Sequence, residues 1–137
     1  MDRIVLDTNC LIASLSKRGR YYDIWKGLQE GKYILCVSSE ILYEYQEIIE
    51  QKTNAYIANN VIQFLLNSKF VLLKDPSFKL GLIDEDKDDN KFVDCAIMAG
   101  AIFIVSNDKH YNVLKSISFP KIDVIDIESF LDFLRRL

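Results

Sequence analysis

The stretch Arg3-Ile4-Val5-Leu6-Asp7 decides the fold, together with its later counterpart Ala101-Ile102-Phe103-Ile104-Val105, which runs into Ser106-Asn107-Asp108. Each is a short, nearly continuous apolar run closed by a polar or acidic residue. A strand with one face in water alternates apolar and polar residues. A run without that alternation suits a strand covered on both faces, as in a parallel sheet flanked by helices. Two further runs, Tyr33 to Val37 and Phe70 to Leu73, and a last one, Asp123 to Ile125, read as additional strands.

Between the strands the apolar spacing is helical. Thr8 to Ser16 carries Leu11, Ile12 and Leu15 on one side, and Tyr21 to Glu30 carries Tyr21, Ile24, Trp25 and Leu28 before Gly31 stops it. Ser38 or Ser39 is a candidate N-cap for a helix with Ile41, Leu42, Tyr45, Ile48 and Ile49 on its apolar stripe. Thr53 or Asn54 starts another, and Asn90 to Gly100 places Phe92, Val93, Ala96, Ile97 and Gly100 at helical spacing. A short helix is expected over Lys109 to Leu114 and a final one over Glu128 to Arg136, whose Arg135 and Arg136 suit the negative end of the helix dipole. Strands alternating with helices predict an α/β fold with a mostly parallel sheet covered on both faces.

The chain of 137 residues suits one domain, expected to span 1–137. Half of it is hydrophobic and 27% is charged, a globular composition with little Gly or Pro, which excludes collagenous and low-complexity readings. The longest apolar run, Ala96 to Val105, is half the length of a membrane span, and the N-terminal stretch meets Asp2 and Asp7 without a cleavable signal pattern. These features predict a cytoplasmic protein with no membrane association. Cys10, Cys36 and Cys95 are odd in number and set in apolar stretches, so they read as reduced core residues. The net charge of −3 excludes a surface that attracts nucleic acid everywhere, so any such role needs a local cause.

The acids supply one. Ligands of open α/β sheets sit beyond the carboxyl ends of the strands. Asp7 closes the first strand, Asp108 follows the AIFIV strand, Asp89 stands at the start of the helix that feeds it, and Glu44 lies a turn or so into the helix after YILCV. Singly, each has a structural alternative: a helix cap for Asp7 or Asp89, a solvated helix residue for Glu44, a turn acid for Asp108. Jointly they can meet in one crevice, where like charges repel unless something neutralises them. No Lys or Arg partner beside each acid is evident in the sequence. A divalent cation supplies the missing charge, and all-oxygen ligands suit Mg²⁺ or Mn²⁺ better than zinc. Such ions activate water and stabilise the charge that develops in phosphodiester cleavage.

Asp7-Thr8-Asn9, the run Ser38-Ser39-Glu40-Ile41-Leu42-Tyr43-Glu44, Asp89-Asn90-Lys91-Phe92 and Ile104-Val105-Ser106-Asn107-Asp108 together resemble the PIN-domain family. The resemblance spans nearly the whole chain. It is narrower toward the PIN-type toxins of bacterial toxin–antitoxin systems, the VapC group. It implies a three-layer α/β/α sandwich and a Mg²⁺- or Mn²⁺-dependent endoribonuclease that leaves a 5′-phosphate and a 3′-hydroxyl. Asp7, Glu44, Asp89 and Asp108 match the family's acidic quartet, as catalytic residues and metal ligands. Asn9 and Ser106 match polar positions that support it; the family often has Thr where Ser106 stands. Asp88, Asp89 and Asp94 compete for the third acid; Asp89 is preferred for its place at the helix start, with Asp94 kept as an alternative ligand.

Lys17, Arg18, Arg20, Lys91 and Lys109 lie near the acids or after the first helix, and Arg18, Arg20, Lys91 and Lys109 are candidate phosphate contacts. His110, the single histidine, reads as a surface or substrate-contact residue. Tyr21, Tyr22, Trp25, Tyr43 and Tyr45 read as core or subunit-interface packing. The resemblance further implies an RNA substrate, a homodimer and a small antitoxin protein, with the helices Tyr21–Glu30 and Ile41–Ile49 as candidate docking surfaces. The competing reading is a catalytically inert PIN-like adaptor that binds RNA or protein, whose signature is loss of the acids. Phosphotransfer folds that gather Asp at strand ends fit less well: the phosphatase pattern wants an acid where Asn9 stands.

Overall fold

The computed structural model describes residues 1–83, 89–117 and 121–137. Asp88, one competitor for the third acid, lies outside the described residues, as does the acidic run before it.

Five strands form one sheet: β1 (Arg3–Leu6), β2 (Ile34–Val37), β3 (Val71–Leu73), β4 (Phe103–Val105) and β5 (Asp123–Ile125). Their spatial order is β3-β2-β1-β4-β5, and every pairing is parallel. The chain therefore builds outward from β1 in one direction, then crosses over and builds outward in the other. The α-helices are α1 (Thr8–Ala13), α2 (Tyr22–Gln29), α3 (Ser39–Lys52), α4 (Ala55–Asn67), α5 (Asn90–Ala99) and α6 (Ile127–Arg135), with a 3₁₀ segment at Lys109–Ser116.

The unalternated apolar runs have the cause read from them. Ile4, Val5 and Leu6 of β1 and Ile104 and Val105 of β4 are fully buried, because helices cover both faces. Helix α5 packs across β1, β2 and β4 and meets α3, while α2 and α6 pair with each other. Phe130 and Phe133 of α6 stack edge-on against Phe103 of β4, and Phe130 against the buried Tyr33 beside β2. The result is the three-layer α/β/α arrangement.

Local signals set the element ends. Ser38 caps α3 by accepting a hydrogen bond from the Ile41 amide at 3.2 Å, and Asn54 caps α4 through the Ile57 amide at 2.8 Å. Gly31 ends the turn after α2 at φ +74°, where a Cβ would sit 2.5 Å from the Phe70 ring, so both backbone and space demand glycine. The three cysteines are buried and unbridged, and burial pushes the Cys10 and Cys95 thiols up to about 12 and Cys36 to about 11.

Several expectations are corrected. The apolar stripes proposed as docking surfaces are core: Ile24 and Leu28 of α2, and Ile41, Tyr45 and Ile49 of α3, are fully buried. Of the tyrosines read as core or subunit-interface packing, Tyr45 is core and donates to the Leu6 carbonyl at 2.5 Å, while Tyr43 is exposed on the single chain. The helix expected to run to Ser16 ends at Ala13, and the strand expected from Ala101 begins at Phe103.

Candidate active site

The sheet order places the topological switch between β1 and β4, and the crevice of an open α/β sheet lies at the carboxyl end of that switch. Leu6 is registered against Val105, so the residues leaving each strand, Asp7 and Ser106, emerge side by side. The Asp7 amide still donates to the Val105 carbonyl at 3.0 Å, which continues the ladder and anchors Asp7 on the most rigid part of the fold. Ser106 then joins the two strand ends: its hydroxyl donates to Asp7 Oδ2 at 2.6 Å and accepts from the Asp108 amide at 3.0 Å.

Asp108 opens the 3₁₀ segment, its Oδ1 accepting from the His110 amide at 2.9 Å. That turn folds the imidazole back over its own cap. His110 Nδ1 lies 3.1 Å from Asp108 Oδ1 and 3.7 Å from Asp89 Oδ2. Asp89 arrives from the sheet's other half, because α5 runs back against the parallel strands and so begins at their carboxyl ends. Glu44 projects from α3. Thr8 Oγ1, in the first turn of α1, donates to Glu44 Oε2, and Lys91 Nζ lies 2.8 Å from Glu44 Oε1.

The charges of all four acids act on one buried group, the Tyr111 hydroxyl. Tyr111 is 2% exposed, and its hydroxyl has no hydrogen-bond partner among the described residues. Burial first, then the charges of Asp7, Asp89, Asp108 and Glu44, raise its pKa far above the ordinary phenol value. Asp7 responds in kind: burial, and the charges of Glu44 and Asp108, raise its carboxyl above the usual range, although Ser106 and the Thr8 amide oppose this.

Most of the expected site residues meet here, and some do not. Asp7, Glu44, Asp89, Asp108 and Ser106 are together. Asn9 lines the same groove as Asp7 and Asp108, but its Oδ1 accepts from Lys52 Nζ at 3.3 Å and touches none of the acids. Asp94 faces a neighbouring cleft with Ser39, Glu40, Asp75 and Lys79, and its Oδ1 accepts from the Leu80 amide at 3.2 Å. Of the cations, Lys91 pairs with Glu44, correcting the expectation that the acids lack a basic neighbour. Arg20 is held by Glu128, at 2.6 and 2.9 Å, with Tyr21 donating to the same carboxylate at 2.7 Å. Arg18 and Lys109 are exposed, and Lys109 borders the groove with Asp108. His110, expected as a surface or substrate-contact residue, is half-buried, with Nδ1 near Asp89 and Asp108. Tyr111 was not singled out in sequence; the available signal was its place three residues after Asp108.

The donor set tests well against a divalent cation. Ligand atoms of Asp89, Asp108 and His110 all lie within 4.8 Å of one another, and the hydroxyl of the adjacent Tyr111 is buried without a partner among the described residues. Oxygen-rich sites with these spacings suit divalent ions.

A parallel α/β sheet with carboxylates gathered at the switch between its halves defines a class of open-sheet proteins built to hold a charged ligand at one edge. The chain belongs to the PIN domain family, whose model matches residues 3–110. Among solved structures, it is similar to VapBC2 from Rickettsia felis, crystallised bound to a promoter DNA fragment, at 19% identity and a TM-score of 0.60, covering 90% of this chain and 98% of that one. VapC20 of Mycobacterium tuberculosis, a sarcin–ricin loop cleaving toxin, is similar at 15% identity and a TM-score of 0.57, covering 80% and 92% of the two chains. The PIN domain endonuclease Utp24 is similar at 16% identity and a TM-score of 0.51, covering 90% and 84%. No curated protein matches the sequence.

Proposed function

We propose that residues 1–137 form one PIN-like nuclease domain, a Mg²⁺- or Mn²⁺-dependent endoribonuclease that hydrolyses RNA phosphodiester bonds and acts as the cytoplasmic toxin of a toxin–antitoxin pair. The observation that carries this reading is the gathering of acids at the β1–β4 switch: Ser106 ties Asp7 to Asp108, His110 Nδ1 lies near both Asp108 and Asp89, and Glu44 is hydrogen-bonded to Thr8, the residue after Asp7. An inert adaptor has no use for that arrangement, because close carboxylates repel and destabilise the fold that holds them. The similar VapC20 is a toxin that cleaves the sarcin–ricin loop and Utp24 is an endonuclease; these support an RNA substrate and a toxin role, to which an antitoxin partner belongs. A homodimer belongs to the same reading. Among the described residues, no helix is long and apolar enough to cross a membrane.

Asp7, Asp89 and Asp108, with Glu44, would hold the ion. A bound divalent cation supplies the Lewis acidity that makes water a nucleophile at neutral pH and offsets charge developing on the phosphate. Asp7 is the most rigid of the four, and Ser106 sets its carboxylate plane. Lys91 and Thr8 hold Glu44 in place. The buried Tyr111 hydroxyl, with no partner among the described residues, would be free to donate to an oxygen brought there. Lys109, exposed beside Asp108, is the cation available to a neighbouring phosphate, and Arg18 is a further exposed cation.

The test is cleavage of a panel of structured and single-stranded RNAs with Mg²⁺ or Mn²⁺, against a chelator control and Asp7→Asn. Cleavage that requires both metal and Asp7 supports the nuclease. Metal-dependent cleavage by Asp7→Asn at the wild-type rate removes Asp7 from its role. Absence of both cleavage and metal binding favours the adaptor.

A further inference from the structure

We propose that His110 is a metal ligand: its Nδ1, with one carboxylate oxygen each from Asp89 and Asp108, forms a mixed nitrogen–oxygen site that prefers a transition ion such as Mn²⁺ over Mg²⁺. The inference rests on the nuclease reading above and specifies its metal.

The geometry is that of neighbours on one ion. Adjacent ligands of an octahedral ion with bonds of roughly 2.1 Å stand about 3 Å apart. Nδ1 is 3.1 Å from Asp108 Oδ1 and 3.7 Å from Asp89 Oδ2, and a ligand atom from each of the three residues falls within 4.8 Å of the others. The imidazole is placed there by the backbone. The Asp108 carboxylate caps the 3₁₀ segment through the His110 amide, which fixes the His110 backbone beside both carboxylates. A second observation points to a ligand in the same space: the hydroxyl of Tyr111, the residue next to His110, is buried, lies within the field of these acids and has no hydrogen-bond partner among the described residues. Buried hydroxyls find a partner in folded proteins, and a water or substrate oxygen on an ion would be one.

The choice of ion follows from the donors. Mg²⁺ takes oxygen and binds nitrogen reluctantly, whereas imidazole suits first-row transition ions. An all-carboxylate site lacks that discrimination. Exchanging one oxygen ligand for His110 therefore moves selectivity without altering the acids.

The chain has a single histidine, which makes the test direct. The full chain, prepared without a histidine tag and stripped by chelator, is titrated with Mn²⁺ by electron paramagnetic resonance, with Mg²⁺ as competitor. Pulsed spectra are recorded on protein labelled with ¹⁵N-histidine, alongside His110→Gln. The expected result is a ¹⁵N coupling on bound Mn²⁺ in the wild type and at least about tenfold preference for Mn²⁺ over Mg²⁺. In His110→Gln the coupling disappears and Mn²⁺ weakens by about tenfold while Mg²⁺ changes little. Bound Mn²⁺ without nitrogen coupling overturns the assignment of His110 and leaves the acid-held nuclease site standing. Equal weakening of both ions in His110→Gln also overturns it. No Mn²⁺ binding by the wild type overturns this inference and the metal-dependent reading together. The labelled wild type gives its answer even if the variant misfolds.

Discussion

Asp7 carries two opposed demands at the scale of a single residue. It sits on a rigid strand end, bonded to Ser106, yet it is buried near Glu44 and Asp108, and its pKa is raised. A carboxyl whose pKa is raised on folding contributes stability below its unfolded pKa and loses it as pH climbs through the folded one. Without divalent ion, Asp7→Asn should therefore melt above the wild type at neutral pH. The gap should narrow as pH falls toward the ordinary carboxylate range, while nuclease activity is lost throughout; thermal melts from pH 4 to 8 read both the sign and the window. A difference between the two proteins that does not widen on going from pH 5 to 7 would contradict the assignment. Tyr111 makes the companion case. A buried unpartnered hydroxyl costs about 1–3 kcal/mol, so Tyr111→Phe should leave the metal-free fold as stable as the wild type or about 1 kcal/mol more so by denaturant melts, yet slow cleavage at saturating RNA.

At the scale of elements, capping and turn chemistry decide how accurately the acids are aimed. Ser38 caps α3, the helix that carries Glu44. Ser38→Ala should cost about 1 kcal/mol and reduce activity only as far as the fold weakens, which comparison of denaturation midpoints with rates at saturating metal will show. Gly31 has no latitude: its φ of +74° disfavours any side chain, and a methyl group at this position would meet the Phe70 ring at 2.5 Å. Gly31→Ala should destabilise by more than about 1 kcal/mol, and the additional change Phe70→Leu should recover part of it if the ring is the obstacle. Helix and strand types were legible at this scale because burial and periodicity agree along β1, β4, α3 and α5. Element ends were less so. α1 stops short of Ser16 because Ser14 is already bonded back to the Leu11 carbonyl, a local choice with no signature in apolar spacing.

For the whole molecule, folding and ion binding are coupled. The site exists only when β1, β4, α3 and α5 are assembled, so an ion that binds the native state alone stabilises it by mass action: about 2.7 kcal/mol at a hundred times its Kd. Mn²⁺ should raise the melting temperature of the wild type, chelator should reverse the shift, and Asp7→Asn should show much less of it. An equal metal-induced shift in both proteins would place the ion elsewhere. The negative formal charge of the chain acts at this scale too: under the proposed function an RNA-binding surface must be local, and the exposed Lys109 and Arg18 would supply it, since Arg20 and Lys91 are held by Glu128 and Glu44.

The sequence by itself determined the parallel α/β class, since runs such as RIVLD and AIFIV have no polar face to give to water, and it determined which acids end or follow those runs. It also carried the resemblance by which Asp7, Glu44, Asp89 and Asp108 were singled out. Only the tertiary structure decided which neighbours those acids have. Lys91 beside Glu44, Ser106 between Asp7 and the Asp108 amide, His110 between Asp89 and Asp108, and Asp94 in a separate cleft are all outcomes of crossing from one half of the sheet to the other. Linear spacing fixes the face of one helix or strand; the distance between side chains on different elements is fixed by how the elements pack, and that is where the charge balance of the site is set.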